Sequence, residues 1–240
     1  MAKQDEIDYI GRLGDIGKKH ALDKPWSDEL RGLYLQEMGA LISLLPAPPA
    51  KILDIGAGSG WTSCFYALSG YEVTATDIAP EMVELAKINA ARYNVVLDAV
   101  VSDFESLLFE NQFDAVIFYD CLHHAEDEVL ALRSAYRALK KGGICITLEP
   151  GSGHAKSAVS VQAMKDLGVT ERDMPPKRII KGGVKAGFTA VQIFERPVQP
   201  IELSHQIMPR WKTVVKLLQR LVTRSTPIAL QRSQYVVLQK

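Results

Sequence analysis

The stretch KILDIGAGSG, residues 51–60, constrains this chain more than any other. A short apolar run carrying Asp54 ends in three glycines at alternate positions, Gly56, Gly58 and Gly60. It reads as a buried strand turning sharply into a helix that begins at Trp61, with Ala57 inside a loop where backbone can approach a ligand closely. The first-turn amides of such a helix have no acceptor within it and suit an anionic group. A dinucleotide fingerprint is spaced G-x-G-x-x-G, whereas this loop is G-x-G-x-G. Alone, such a turn is equally an ordinary strand-to-helix connection, so its meaning depends on the rest of the chain.

Four more strand-like runs lie downstream. YEVTATD (71–77) ends in Asp77, next to Ile78 and nineteen positions after Gly58. A carboxylate at the tip of a second strand offers two acceptor oxygens and no donor, which suits the paired hydroxyls of a ribose. APEMVELAKINAARY reads as a helix with Pro80 at its first position. VVLDAVVSDFE brings Asp103 and Phe104 to the end of a third strand, where a carboxylate can accept an adenine amino proton and a ring can cover the base. FDAVIFYDCLHHAED (113–127) and LKKGGICITLEP (139–150) are the fourth and fifth, each with a polar tip. The alternation predicts an α/β chain with a doubly wound, mostly parallel, Rossmann-like sheet and helices on both faces.

These five segments, in this order, resemble the class I S-adenosylmethionine-dependent methyltransferases, over roughly residues 35–195 and the final strand. The resemblance implies S-adenosyl-L-methionine as cofactor. It implies that Asp54, Gly56, Ala57, Gly58, Gly60 and Trp61 hold the methionine end, that Asp77 and Ile78 meet the ribose, and that Asp103 and Phe104 meet the adenine. Asp120 and Leu122 are expected to line the path to the methyl group. It also implies seven strands, with SQYVVLQK entering last and antiparallel.

The expected organisation is one methyltransferase domain over 1–240: an N-terminal helical cap (1–50), a cofactor-binding core (51–197) with an acceptor-side insert (150–187), a basic amphipathic insert (198–232) and a last strand (233–240). In the cap, WSDEL offers Ser27 as an N-cap before an apolar-periodic run that ends at LPAPPA. Cys64, Cys121 and Cys145 lack C-x-x-C spacing, so the reading is small buried thiols, with neither disulfides nor zinc. No metal signature is visible in the spacing of ligand-type residues.

Methyl transfer from a sulfonium needs mainly an acceptor atom held in line and water excluded; orientation supplies ~7–11 kcal/mol and a general base a factor of ~10²–10⁴. His154, in the loop EPGSGH after the fifth strand, is the first candidate base, then His123 after the fourth, with Glu149 at the fifth strand tip. His124 reads as a packing or capping residue, and Glu149 equally as an anchor for the GSG turn. Lys177, Lys181 and Lys185, spaced i, i+4, read as a solvated helix face. GVTERDMPP with KAGF looks like methyltransferases of sugar and cell-surface polysaccharide pathways, so the expected acceptor is a small molecule or a glycan, methylated on oxygen or nitrogen.

At 240 residues, 47% hydrophobic and formally neutral, the chain suits one domain with a sizeable core. No run reaches the ~18–20 apolar residues of a spanning helix and the start MAKQDEIDYI is no secretory signal, so a cytoplasmic location is expected. Charge is uneven: residues 196–240 hold eight basic residues against one acid. In 210–224, Trp211, Val214, Val215, Leu218, Leu221 and Val222 share one face, and Lys212, Lys216, Arg220 and Arg224 lie largely opposite. The plain reading is a helix docked on the sheet; the sharper one is peripheral contact with an anionic membrane. Nucleic acid is not expected, since a neutral chain lacks an aromatic-interleaved basic groove. Two rivals stand beside the methyltransferase: a non-catalytic S-adenosylmethionine-binding or regulatory subunit, and a nicotinamide-dependent oxidoreductase, which the short glycine spacing disfavours. Oligomeric state is not legible.

Overall fold

A computed structural model describes residues 2–197, 214, 215, 218 and 232–240. Its centre is a seven-stranded sheet of order β3-β2-β1-β4-β5-β7-β6. The strands are β1 (Lys51–Ile55), β2 (Glu72–Asp77), β3 (Asp98–Val101), β4 (Phe113–Tyr119), β5 (Leu139–Leu148), β6 (Ala190–Phe194) and β7 (Tyr235–Gln239). β1 to β5 pair in parallel, and β7 inserts antiparallel to both β5 and β6. Strand order reverses between β1 and β4, the switch point outside whose carboxyl ends open α/β sheets bind ligands.

The pleat sends alternate residues to opposite faces. Leu53, Ile55, Val116, Phe118, Val236 and Leu238 pack with α5 (Glu128–Ala138) and α7 (Pro176–Ala186). Ile52, Ala115, Ile117, Ile146 and Tyr235 pack with α2 (Arg31–Leu44) and α3 (Trp61–Leu68). α4 (Pro80–Tyr93) starts at its proline as expected and lies against α3, β2 and β3. All three cysteines are buried free thiols.

α1 (Ala2–Leu22), kinked at Gly14, precedes turns over 23–30. Ser27 does not cap α2: its hydroxyl donates to the His20 carbonyl (2.7 Å), while Asp28 accepts from the Leu30 amide (2.8 Å) and α2 starts at Arg31. Buried Glu37 of α2 locks the cap to the sheet, accepting from Tyr119 Oη (2.5 Å) and Arg196 Nε (2.6 Å) while its carbonyl accepts from Tyr235 Oη (2.8 Å). The 150–187 stretch divides in two. A 3-10 turn (His154–Lys156), α6 (Ala158–Leu167) and the loop after it lie over the strand ends, whereas α7 covers the sheet through buried Ile179, Gly182 and Gly183. Lys177, Lys181 and Lys185 are exposed on its other side. Most of the basic 210–224 segment lies outside the described residues; Val214, Val215 and Leu218 are helical and exposed. No described helix is long and apolar enough to cross a membrane.

Candidate active site

The β1-to-α3 turn is held from below. Asp54 sits on the α3 side of the pleat and accepts from Thr62 Oγ1 (2.7 Å) and Ser63 Oγ (2.5 Å), fixing the helix start against the strand. Burial raises its pKa to about 6 against the pull of those two hydroxyls, and the charge of Asp77 adds to the rise. Its carboxylate is therefore an anchor beneath the loop, engaged with α3 itself. Gly56 must be glycine, because a Cβ there would stand 2.7 Å from Cys121 Cβ. Gly58, at φ +55°, has nothing within 4 Å of a Cβ position and opens onto the cavity.

Asp77 closes the loop from the side. Its Oδ2 accepts from the Gly58 amide and Oδ1 from the Ala79 amide, both 2.9 Å. Two backbone donors leave half of the carboxylate's acceptor capacity for a diol. Burial raises its pKa, while the two amides hold it down. After β3, Asp103 caps a 3-10 turn through the Glu105 amide (2.9 Å) and pairs with Lys3 Nζ of α1 at 2.6 Å. Phe104 stands beside it, edge-on to Phe118 at 6.1 Å.

The β4 end departs from expectation at two residues. Asp120, at φ +54°, faces the cavities, but Leu122 is fully buried and belongs to the core. Glu149 is the cause: its Oε1 accepts from the amides of Cys121 (3.1 Å) and Leu122 (2.8 Å), and its Oε2 from the His123 amide (3.2 Å). With its side chain wholly buried and also bonded to His123 Nδ1 at 2.8 Å, Glu149 organises the turn after β4 and does not reach the cavity. The GSG turn hangs on Asp173, which accepts from the Gly153 and Ala155 amides (both 2.9 Å).

Two adjoining cavities open over the switch point. The larger, about 410 Å³, runs from Asp77, Ile78, Asp103 and Phe104 to His123, His154 and Glu171. The smaller, about 180 Å³, lies between Asp54, Trp61, Tyr34 and Tyr119. Tyr9, Gly56, Gly58, Met82 and Asp120 wall both, so α1 roofs a continuous site. A cleft of about 450 Å³ at the opposite edge, beside Lys140 and Gly142, contains no histidine or cysteine.

At the far end of the larger cavity the imidazoles gather. His154 Nε2 lies 2.5 Å from Glu171 Oε2, and His123 Nε2 lies 3.6 Å from the same oxygen. His123 packs between His124, tilted against it (ring centroids 4.0 Å), and His154, edge-on to it (4.9 Å). His124 Nδ1 donates to the Thr170 carbonyl at 2.6 Å and lies 3.4 Å from Glu6 of α1. Burial disfavours its charge, but Glu6, Glu171 and the Thr170 carbonyl raise its pKa to about 9. Burial pushes the neighbouring Cys121 thiol far up, so it is no nucleophile. Sequence reasoning missed Glu6, Tyr9, Lys3 and Glu171 as site residues; Glu171 lies in the stretch GVTERDMPP, and the other three lie in MAKQDEIDYI, which was weighed only as a signal segment.

Residues 53–147 match a family model described as a methyltransferase domain. Over those residues the chain is thus similar to methyltransferases. It is 38% identical over 137 residues to the ubiquinone biosynthesis O-methyltransferase of Xanthomonas oryzae pv. oryzae, an alignment covering 54% of this chain and 57% of the relative. The chain thus spans little more than half the length of the curated relatives it matches. Among solved structures it is similar to phosphoethanolamine N-methyltransferase 2 of Haemonchus contortus in complex with S-adenosyl-L-methionine (TM-score 0.65, 19% identity, 100% of this chain and 59% of that one). It is also similar to an S-adenosylmethionine-dependent methyltransferase of Mesorhizobium loti (TM-score 0.61, 18% identity, 85% and 98%). At such identities the likeness establishes the fold.

Proposed function

We propose that this chain transfers a methyl group from S-adenosylmethionine to a hydroxyl oxygen of a small-molecule acceptor, and that 1–240 works as one methyltransferase domain with α1 as its roof. The observation that carries the reading is the pairing of a cofactor cradle, built on Gly58 and Asp77, with an imidazole–carboxylate pair, His154 and Glu171, at the far end of the same cavity. The name of the relatives, O-methyltransferase, favours oxygen over nitrogen. S-adenosylmethionine supplies a methyl group already activated on a sulfonium.

The chain's residues then have three tasks. Asp77 binds the ribose diol with the acceptor capacity its two amides leave free, Asp103 and Phe104 receive the adenine, and the loop from Gly56 to Gly60 with the first turn of α3 receives the methionine carboxylate. Lys3 shares Asp103, so α1 closes over the adenine end. The acceptor hydroxyl lies beyond Asp120, toward the imidazoles. As its oxygen bonds to the methyl carbon and the sulfur–carbon pair returns to sulfur, the hydroxyl proton passes to an imidazole, His154 before His123, because His154 is the more exposed of the two. Glu171 orients that ring and stabilises its charge. The test is incubation with methyl-tritiated S-adenosylmethionine and separate panels of phenols, sugars and primary amines. Label entering a hydroxyl compound is expected; label entering amines alone would contradict oxygen transfer.

A further inference from the structure

The turn after β4 and the loop after α6 bring together ligand-type atoms that cofactor binding does not use. His123, His124 and Glu171 each present one such atom, all within 4.8 Å of one another. Each histidine is already oriented by a partner on Nδ1. The buried carboxylate of Glu149 accepts from His123 Nδ1, which leaves Nε2 with its lone pair turned toward Glu171. The Thr170 carbonyl likewise accepts from His124 Nδ1 and fixes that ring. A carboxylate or backbone carbonyl behind each ring is the arrangement that fixes metal-binding imidazoles.

We propose that His123, His124 and Glu171 form a binding site for a divalent transition cation of the zinc class. Two imidazoles and one carboxylate make a three-ligand set with an open position for water or an acceptor oxygen. Magnesium and calcium prefer all-oxygen shells, which this donor set is not. Ligand atoms of a tetrahedral site with ~2.0–2.1 Å bonds stand about 3.3 Å apart, so side-chain shifts on the order of 1 Å close the present arrangement around an ion. His154, bonded to Glu171, orients that carboxylate from outside the set. The combination of Asp120, His123 and Glu149 is less suited, because both Glu149 oxygens are engaged by backbone amides. The site goes beyond the methyl-transfer reading, since occupancy requires neither acceptor nor turnover.

The experiment is calorimetric titration of the chelator-stripped protein with zinc chloride, beside a cobalt(II) titration monitored by visible absorption. One equivalent of zinc is expected at micromolar or tighter Kd, with a four-coordinate cobalt band. Glu171→Gln and His123→Ala are each expected to weaken zinc by about 100-fold, and Glu149→Gln by about 10–100-fold. S-adenosylmethionine affinity in Glu171→Gln, measured on the same samples, reports whether the fold is intact and separates failure of this site from failure of the methyltransferase reading. Wild-type zinc binding no tighter than millimolar would overturn the proposal. So would unchanged zinc affinity in a Glu171→Gln protein that still binds S-adenosylmethionine, which would place the ion on stray histidines.

Discussion

The two ends of the cavity are built by different means. At the end proposed for the cofactor, Asp77 and Asp103 sit at successive strand tips; each accepts from an amide two residues on, and Asp77 also from the Gly58 amide of the neighbouring strand's loop. At the imidazole end, the contacts join Glu6, His124, His154 and Glu171, residues from three separated segments, and one bond, from the Thr170 amide to Glu6, spans 164 positions. Strand tips with neighbouring backbone amides make most of the first end, with Lys3 of α1 added at Asp103; tertiary packing of α1 and the 150–175 segment makes the second.

The sharpest way to break the comparison is Asp77→Ala. Charge-assisted hydrogen bonds contribute about 1.5–3 kcal/mol each, so loss of two to a ribose weakens S-adenosylmethionine by roughly 10²–10⁴-fold in a calorimetric titration. Unchanged affinity would remove Asp77 from the site. His154→Ala addresses the other end: transfer to a hydroxyl acceptor slows by about 10²–10⁴-fold while cofactor Kd moves by less than about twofold. A variant that lost cofactor affinity instead would show that the two ends are not separable.

The same division explains what the sequence discloses. The strands β1 to β5 and the acids at their tips are legible as short apolar runs ending in glycine or acid, and these signals lie within single segments. Glu171 and Glu6 carry no such signal, because an acid in a polar loop or on a helix face acquires a partner only when the chain folds. The same reason moved Glu149: a carboxylate at a strand tip reads as a site residue, yet three neighbouring amides without other acceptors claim it. Leu122 is an apolar side chain at the same turn and packs into the core, while its amide bonds to Glu149. Ser27 does not cap, because the chain turns once more before α2 begins at Arg31, with Leu30 at the cap and no side-chain capping bond.

Two smaller effects sharpen the account of the cofactor end. Asp54 has a folded-state pKa of about 6 against an ordinary 3.8, so the folded state holds its proton more tightly than the unfolded chain does. That contribution is fully present below about 3.8 and is lost as pH rises through about 6, a change on the order of 3 kcal/mol. Asp54→Asn keeps an acceptor for Thr62 and Ser63 without the charge. Its thermal midpoint relative to the parent should therefore climb between pH 4 and 7 by about 5–10 °C in scanning calorimetry. A constant difference across that range would contradict a raised pKa. Lys3→Ala removes a partly exposed pair worth at most about 1 kcal/mol, so cofactor Kd should change by no more than about fivefold. A larger change would make α1 part of the cradle itself and not only its roof.

The most direct test of the central claim is calorimetric titration of the purified chain with S-adenosylmethionine and, separately, with NAD. The cradle on Gly58 and Asp77 predicts one equivalent of S-adenosylmethionine bound and no heat from NAD. Binding of NAD alone, or of neither, would contradict it.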